Sequence, residues 1–191
     1  MNYMWLTIGW VLYFTLHSVL AADGTKDLVK NMMGSSLRWY RLFYSVFSTG
    51  ALVVLLFYGA TIPAEYFFER TELLRYVSLM FTTFGVMTIR LAFKQFQLKS
   101  FVGFTPETGS TLKREGILKR VRHPILSGII LITIGYFIFI PNLPTLVSCL
   151  CILVYLPIGV WLEEKKLIKF FGEEYLQYKR EVPAFIPKIG G

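Results

Sequence analysis

Residues 124–162 read PILSGIILITIGYFIFIPNLPTLVSCLCILVYLPIGVWL and contain no charged side chain. Two apolar runs flank the tetrapeptide at 141–144, and each approaches the roughly 20 residues that a bilayer-spanning helix needs. A joint this short, with a proline at each end, fits only a tight turn between antiparallel helices. The stretch therefore predicts a membrane-embedded helical hairpin, with Pro157 as a kink in its second helix.

Three further apolar windows lie on the N-terminal side of this hairpin, at 3–22, 42–60 and about 73–93. No basic residue precedes the first window, so we interpret it as a retained spanning helix, not a signal peptide. Charged residues make up 17% of the chain, against about 25% in soluble domains. The sequence thus predicts a single-domain, all-α, polytopic integral membrane protein with five transmembrane helices.

Basic residues alternate from loop to loop along the chain. They cluster between the first and second windows, around 90–123, and after 162. Between the second window and the first residues of the third, the basic residues are Arg70 and Arg75 alone. The positive-inside rule then predicts an outside N-terminus and a cytoplasmic C-terminus, as in a prokaryotic inner membrane protein. This pattern makes the lipid bilayer, and not nucleic acid, the expected partner of the net charge of +8.

The C-terminal tail carries apolar residues at mixed helical spacing, from Leu167 to Tyr178. This spacing predicts an amphipathic helix that lies back on the membrane face. Cys149 and Cys151, two positions apart inside an apolar run, fall on different sides of a helix, so neither a disulfide nor a metal site is expected.

Arg122 and His123 stand directly before Pro124, at the predicted start of the fourth span. Proline favours the first helical turn, and the free N–H groups and dipole of a helix start attract anions such as a carboxylate. The pair would serve equally well as a basic membrane anchor.

Glu163 and Glu164 stand at the end of the fifth span, where acidic residues oppose the helix dipole. They indicate a helix that continues, a salt bridge within the protein, or a bound sulfonium or amine. His17 lies inside the first span and is either a packing residue or a base active near neutral pH. His17 and Glu164 are therefore the candidate catalytic bases.

The combination of these motifs resembles a known superfamily. Gly116, Arg122-His123-Pro124 and Gly128, then the prolyl hairpin, Glu163-Glu164 and the Phe171-to-Pro183 tail, are similar to isoprenylcysteine carboxyl methyltransferases and phospholipid N-methyltransferases. Leu16-His17-Ser18 and the stretch 38–44 resemble a bacterial branch of that superfamily. The resemblance implies a small integral membrane methyltransferase that uses S-adenosylmethionine.

In that superfamily the cofactor lies in a cytoplasmic pocket, and the acceptor enters from the bilayer. The resemblance thus divides the single domain at 1–191 into a three-helix part, 1–93, and a cofactor-binding part, 94–191. Carried over onto this chain, it implies cofactor contacts from Thr111, Leu112, Lys113, Leu118, Arg122, His123, Pro124, Leu126 and Glu163.

The chain departs from the superfamily pattern at three positions. Leu126 replaces a common tyrosine, and Leu118 replaces an aromatic residue. Gly159 stands where the prenylcysteine enzymes carry an arginine for the substrate carboxylate. The acceptor therefore stays open among lipophilic or small thiols, carboxylates and amines. The alternative functions are a non-catalytic membrane carrier and a cofactor-binding regulatory or assembly protein on the same fold.

Overall fold

The computed structural model describes residues 1–33, 37–95 and 111–187, and the regular elements within them are helical. The elements are α1 (Asn2–Ala21), α2 (Asp23–Met33), α3 (Leu37–Thr61), α4 (Glu72–Gln95), a 3-10 helix (Gly116–Lys119), α5 (Pro124–Phe139), α6 (Leu143–Phe171) and α7 (Glu173–Glu181). The prediction of an all-α fold is confirmed.

Four helices are long and apolar enough to cross a membrane: α1, α3 from Trp39, α4 and α6. These four support an integral membrane protein. Helix α5 is equally apolar but has 16 residues, which span about 24 Å against a hydrocarbon core of about 30 Å. Four of the five predicted spans are therefore long enough, and a fifth crossing through α5 stays a prediction.

Helices α5 and α6 form the predicted hairpin. The side chain of Asn142 accepts a hydrogen bond from the Thr145 amide at 3.0 Å and so caps the start of α6. The Pro141 carbonyl accepts the Phe67 amide at 2.8 Å, which ties the hairpin turn to the loop before α4. These two hydrogen bonds therefore hold the turn in place. The hairpin brings the start of α5 and the end of α6 to the same end of the bundle.

Helices α4 and α5 approach each other closely through small residues. A Cβ atom on Gly85 would lie 2.7 Å from the Gly128 carbonyl oxygen, and one on Gly135 would lie 2.5 Å from Thr82 Oγ1. Ser78 Oγ donates to the Gly135 carbonyl at 2.9 Å. Small residues allow backbones in apolar surroundings to gain packing contacts that side chains would block. The start of α5 is thereby held beside the end of α4.

Helices α1, α3 and α6 form a second packing unit around Leu6, Trp10 and Ile62. The fully buried Trp10 donates its Nε1–H to Ser148 Oγ at 3.0 Å, which satisfies its polar atom inside the bundle. The Trp10–Ser148 hydrogen bond thus links α1 to α6 inside this unit.

The C-terminal ends of α1, α4 and α6 and the N-terminal ends of α3 and α5 lie together. Tyr40 donates to the Leu20 carbonyl at 2.8 Å, and Lys166 donates to the Ala21 carbonyl at 2.8 Å. The loops that carry most of the basic residues leave the bundle here, so we name this side the basic end. Its cytoplasmic orientation stays a prediction.

The tail differs in detail from the predicted single amphipathic helix. Helix α6 continues through Glu163 and Glu164 to Phe171, and Gly172, with φ of +57°, then breaks the chain before α7. Glycine adopts this left-handed conformation without the steric cost of a Cβ. The apolar residues predicted on one helix are therefore divided between two. Helix α2, in the first basic loop, was not predicted.

Candidate functional site

The candidate site is organised around an ion pair between the residues before α5 and the C-terminal part of α6. Arg122 Nη2 lies 2.7 Å from Glu164 Oε1, and Arg122 Nε donates to the same oxygen at 3.2 Å. The two side chains are 8% and 7% exposed. Burial of both charges is tolerable because each compensates the other. The structure thus joins two motifs that lie 42 residues apart in the sequence.

Glu164 has further cationic and hydrogen-bonding partners. Lys179 Nζ of α7 lies 2.6 Å from Glu164 Oε2, and His123 Nε2 lies 3.2 Å from Oε1. Both carboxylate oxygens are therefore engaged within the protein. This arrangement explains how a buried acidic residue is accommodated directly after the apolar part of α6. The predicted role of Glu164 as a catalytic base stays a prediction.

His123 lies between the two glutamates. Its Nδ1 is 3.3 Å from Glu163 Oε2, and its side chain is 3% exposed whereas that of Glu163 is 55% exposed. Burial alone lowers the pKa of His123, but the carboxylates of Glu163 and Glu164 together raise it above its ordinary value. Because its side chain is 55% exposed and that of Glu164 is 7% exposed, Glu163 is the carboxylate of this group that faces solvent.

The C-terminal tail pairs with the Arg122–His123 backbone. The Arg122 amide donates to the Pro183 carbonyl at 2.9 Å, and the His123 amide donates to the Ala184 carbonyl at 3.0 Å. The Arg122 guanidinium also donates to the Lys179 carbonyl at 2.8 Å. No local sequence signal predicts these contacts, because the partners are about 60 residues apart in sequence. The tail is thus a structural part of the site.

Helix α7 holds the 3-10 helix and the residues before it through Tyr178. Tyr178 donates its hydroxyl to the Leu118 carbonyl at 2.6 Å, and its burial raises the pKa of Tyr178 to about 12. The Arg114 guanidinium lies 5.4 Å from the centre of the Tyr178 ring, a cation–π distance. Residues 114–118 are therefore positioned by the same tail that contacts Arg122.

The remaining cofactor candidates differ in accessibility. Leu118 and Pro124 are buried in the protein beneath the candidate site, whereas Leu112 and Leu126 are half-buried. Thr111 and Lys113 are exposed, and Lys113 donates to the Gln95 carbonyl at 2.6 Å. The structure brings Arg122, His123, Glu163 and Glu164 into one cluster and places Thr111–Lys113 beside the end of α4.

His17 belongs to a different cluster. The Tyr44 hydroxyl lies 3.1 Å from His17 Nδ1, and the rings of Tyr13 and Tyr155 pack around the imidazole. Ser18 Oγ and the Tyr155 hydroxyl lie 2.8 Å apart. Tyr155 precedes Glu164 by nine residues in α6, about 13 Å along the helix axis. The structure therefore separates the two predicted catalytic bases, and the role of His17 stays a prediction.

A cleft of about 840 Å³ lies along α4 and α5 and extends to Arg120 and Val121, directly before the Arg122–His123 segment. The 3-10 helix and residues 185–187 line the part of the cleft that lies at the basic end. None of the predicted cofactor residues is among the described residues that line it. The cleft is thus distinct from the site implied by the resemblance.

The chain is similar to several proteins named as methyltransferases. It is 29% identical to methanethiol S-methyltransferase of Crocosphaera subtropica over 149 residues, which is 78% of this chain and 48% of that protein. It is 27% identical to methanethiol S-methyltransferase 1 of Bradyrhizobium diazoefficiens over 194 residues, 92% of this chain and 64% of the relative. The chain thus spans less than two thirds of the length of either relative.

A third relative comes from the prenylcysteine group. The chain is 34% identical to protein-S-isoprenylcysteine O-methyltransferase of Schizosaccharomyces pombe over 79 residues, 41% of this chain and 34% of that protein. No solved structure matches the chain. These relatives confirm the resemblance to the isoprenylcysteine carboxyl methyltransferase superfamily.

One family model spans nearly the whole chain. The family described as NnrU protein matches residues 5–187, which include most of α1, the Arg122–His123 motif and the tail that pairs with it. The match therefore covers both packing units of the bundle. This chain belongs to the NnrU family.

Proposed function

We propose that this chain is a membrane methyltransferase that uses S-adenosylmethionine and transfers its methyl group to a small or lipophilic thiol, carboxylate or amine. The observation that carries the proposal is the His123–Glu163 pair at the basic end. It couples a buried imidazole at a helix start to a carboxylate that faces solvent. The names of the relatives add the reaction class and favour a sulfur acceptor as the first substrate to test.

The residues present fit the amino acid end of S-adenosylmethionine. Both carboxylate oxygens of Glu164 already contact Arg122, Lys179 or His123. Glu163 is half-exposed and has an oxygen available for an ammonium group. The first turn of α5 leaves backbone N–H groups without helical partners, and such groups bind carboxylates. Opposite charges at these two places would hold the two ends of an amino acid.

When bound, S-adenosylmethionine supplies an electrophilic methyl group on a sulfonium centre. The protein contributes alignment: Glu163 and the start of α5 hold the amino acid end, and the buried cluster fixes their separation. Leu112 and Leu126 offer half-buried apolar contacts to the remainder. A thiol acceptor reacts as its thiolate, so orientation and exclusion of water would provide most of the rate increase.

Calorimetric titration of the purified full chain in detergent with S-adenosylmethionine, and separately with its demethylated product, tests the site. Glu163→Ala should weaken binding roughly 10- to 100-fold, because it removes one charge-assisted contact. Glu173→Ala is the matched control, since Glu173 is 74% exposed and pairs with Arg180 in α7. Equal binding by wild type and Glu163→Ala would contradict the site assignment.

Turnover separates the proposed enzyme from its alternatives. Methyl transfer from labelled cofactor to methanethiol, to a longer-chain thiol or to a lipophilic carboxylate would establish the activity and rank the acceptors. Cofactor binding without turnover on this panel would favour a regulatory or assembly protein. A folded protein that binds no cofactor would favour the non-catalytic carrier.

A further inference from the structure

The cleft between α4 and α5 has a polarity gradient along the bundle. Its floor is apolar and is formed by one face of α5, at Ile130, Leu131 and Ile134, together with Leu91 of α4. Positions 127, 130, 131 and 134 follow the spacing of a single helix face. The lining of α5 therefore runs about 10 Å along the helix axis, and a bilayer leaflet has a hydrocarbon thickness of about 15 Å.

Two cations stand at the other end of the same cleft. Lys94 lies in the last turn of α4, and Arg120 follows the 3-10 helix, so both belong to the basic end. The side chains of both residues are exposed. An apolar channel parallel to the helices, with two cations at its basic end, is complementary to an amphiphile with an anionic head.

We propose that this cleft binds one anionic phospholipid of the surrounding bilayer. Its phosphate would contact Lys94 and Arg120, and one acyl chain would lie against Ile130, Leu131 and Ile134. The volume of about 840 Å³ is within the usual range of small-molecule sites and accommodates a headgroup with one chain. The second chain would stay in the bilayer.

The lipid site shares structural parts with the candidate catalytic site. Ser127 and Phe185 both line the cleft, and Ser127 Oγ donates to the Phe185 carbonyl at 2.7 Å. The Phe185 ring also lies 6.3 Å from the His123 ring, centre to centre. A lipid in the cleft would therefore pack against the tail that covers Arg122 and His123 and would hold it in place. This inference concerns a separate ligand and does not depend on methyl transfer.

Native mass spectrometry of the full chain measures the proposed binding directly. The protein is released from detergent in the presence of equimolar phosphatidylglycerol and phosphatidylcholine with identical acyl chains. We expect one phosphatidylglycerol to be retained in preference to phosphatidylcholine. The double variant Lys94→Gln with Arg120→Gln should bind phosphatidylglycerol roughly thirtyfold more weakly, since two interfacial cations are lost.

Two controls make the experiment specific. Lys119→Gln removes a neighbouring cation outside the cleft and should leave lipid retention unchanged. Ile130→Trp fills the channel while keeping both cations and should abolish the preference, whereas Leu150→Trp adds the same ring to an exposed position of α6 and should not.

Unchanged retention in the double variant, an equal loss in Lys119→Gln, or full retention in Ile130→Trp would each overturn the proposal. If the double variant does not fold, as judged by circular dichroism, the Ile130→Trp and Leu150→Trp pair decides alone.

Discussion

Two polar clusters interrupt the apolar interior of this bundle, and they are built from different chemistry. At the basic end, Arg122, Glu164, Lys179 and His123 form a network of charges. Deeper between α1, α3 and α6, His17, Tyr44 and Tyr155 form a network of hydroxyls and rings. Both were suggested by the same sequence signal, an ionisable residue beside apolar helices. The comparison teaches that the partners, and not the residue type, decide whether such a cluster holds charge.

The largest difference between the clusters should appear when Glu164 is replaced. Glu164→Ala leaves Arg122, His123 and Lys179 close together without their shared carboxylate, at a place where Arg122 is 8% exposed. Loss of one partner from a buried ion pair costs about 3–5 kcal/mol. The free energy of unfolding, from denaturant titration in detergent, should fall by that amount.

The matched control for this substitution is the adjacent glutamate. Glu163→Ala, at a 55% exposed side chain, should reduce the free energy of unfolding by less than about 1 kcal/mol. Similar losses in the two variants would show that the charge network is not the stabilising element.

A smaller effect is expected when the geometry of the charge network changes but its charge is kept. Arg122→Lys retains the cation but loses the planar fork that reaches Glu164 and the tail carbonyls together. The expected cost is about 2 kcal/mol, from lost hydrogen bonds of a charged group. Limited proteolysis should cleave the tail after 179 faster in this variant. A cleavage rate equal to that of the wild type would show that the position of the tail does not depend on the ion pair.

The hydroxyl cluster should respond more weakly. Tyr44→Phe removes one neutral hydrogen bond to His17 and keeps the ring, so a loss of about 1 kcal/mol is expected. We expect turnover on a thiol acceptor to change by less than about tenfold. A fall of a hundredfold or more in Tyr44→Phe and in His17→Asn would instead assign His17 the role of general base.

The smallest effect is the pH dependence of stability. The pKa of His123 is raised by Glu163 and Glu164, so its protonated form stabilises the folded state fully below the unfolded pKa of about 6.5. This stabilisation is lost as the pH rises through the higher folded-state pKa. The melting temperature should therefore fall as the pH rises above about 6.5, by the equivalent of less than about 1 kcal/mol.

Substitution of His123 tests whether this pH dependence belongs to the charge network. His123→Gln should abolish the slope of the melting temperature against pH, and Tyr44→Phe should retain it. A slope that persists in His123→Gln would place its origin elsewhere in the chain.

The sequence predicted the parts of the fold that depend on local pattern. The hairpin at 141–144 and four long apolar helices follow from run length and proline placement, and the structure has them. The bounds of α5 were also predicted to within one residue, since its apolar window was 124–140 and the helix runs Pro124–Phe139. Helix α2 was missed because its short amphipathic pattern was read only as a basic loop.

The site was predicted in its composition but not in its assembly. Arg122, His123, Glu163 and Glu164 were identified from charges at the edges of apolar runs, and the structure places them together. Lys179 and the carbonyls of Pro183 and Ala184 were not identified, because backbone acceptors carry no sequence signal. The sequence also did not show that both oxygens of Glu164 contact cationic side chains, which leaves Glu163 as the glutamate exposed to solvent.

The contacts of Arg122 with the tail also have a consequence for the order in which parts of the site are synthesised. Arg122 leaves the ribosome 57 residues before Lys179, the first tail residue that it contacts. At roughly 5–20 residues per second, this interval lasts about 3–11 seconds. During that time the guanidinium stands at the head of an apolar helix without its C-terminal partners. The α5–α6 hairpin is therefore synthesised before Pro183 and Ala184, whose carbonyls complete the backbone contacts of Arg122 and His123.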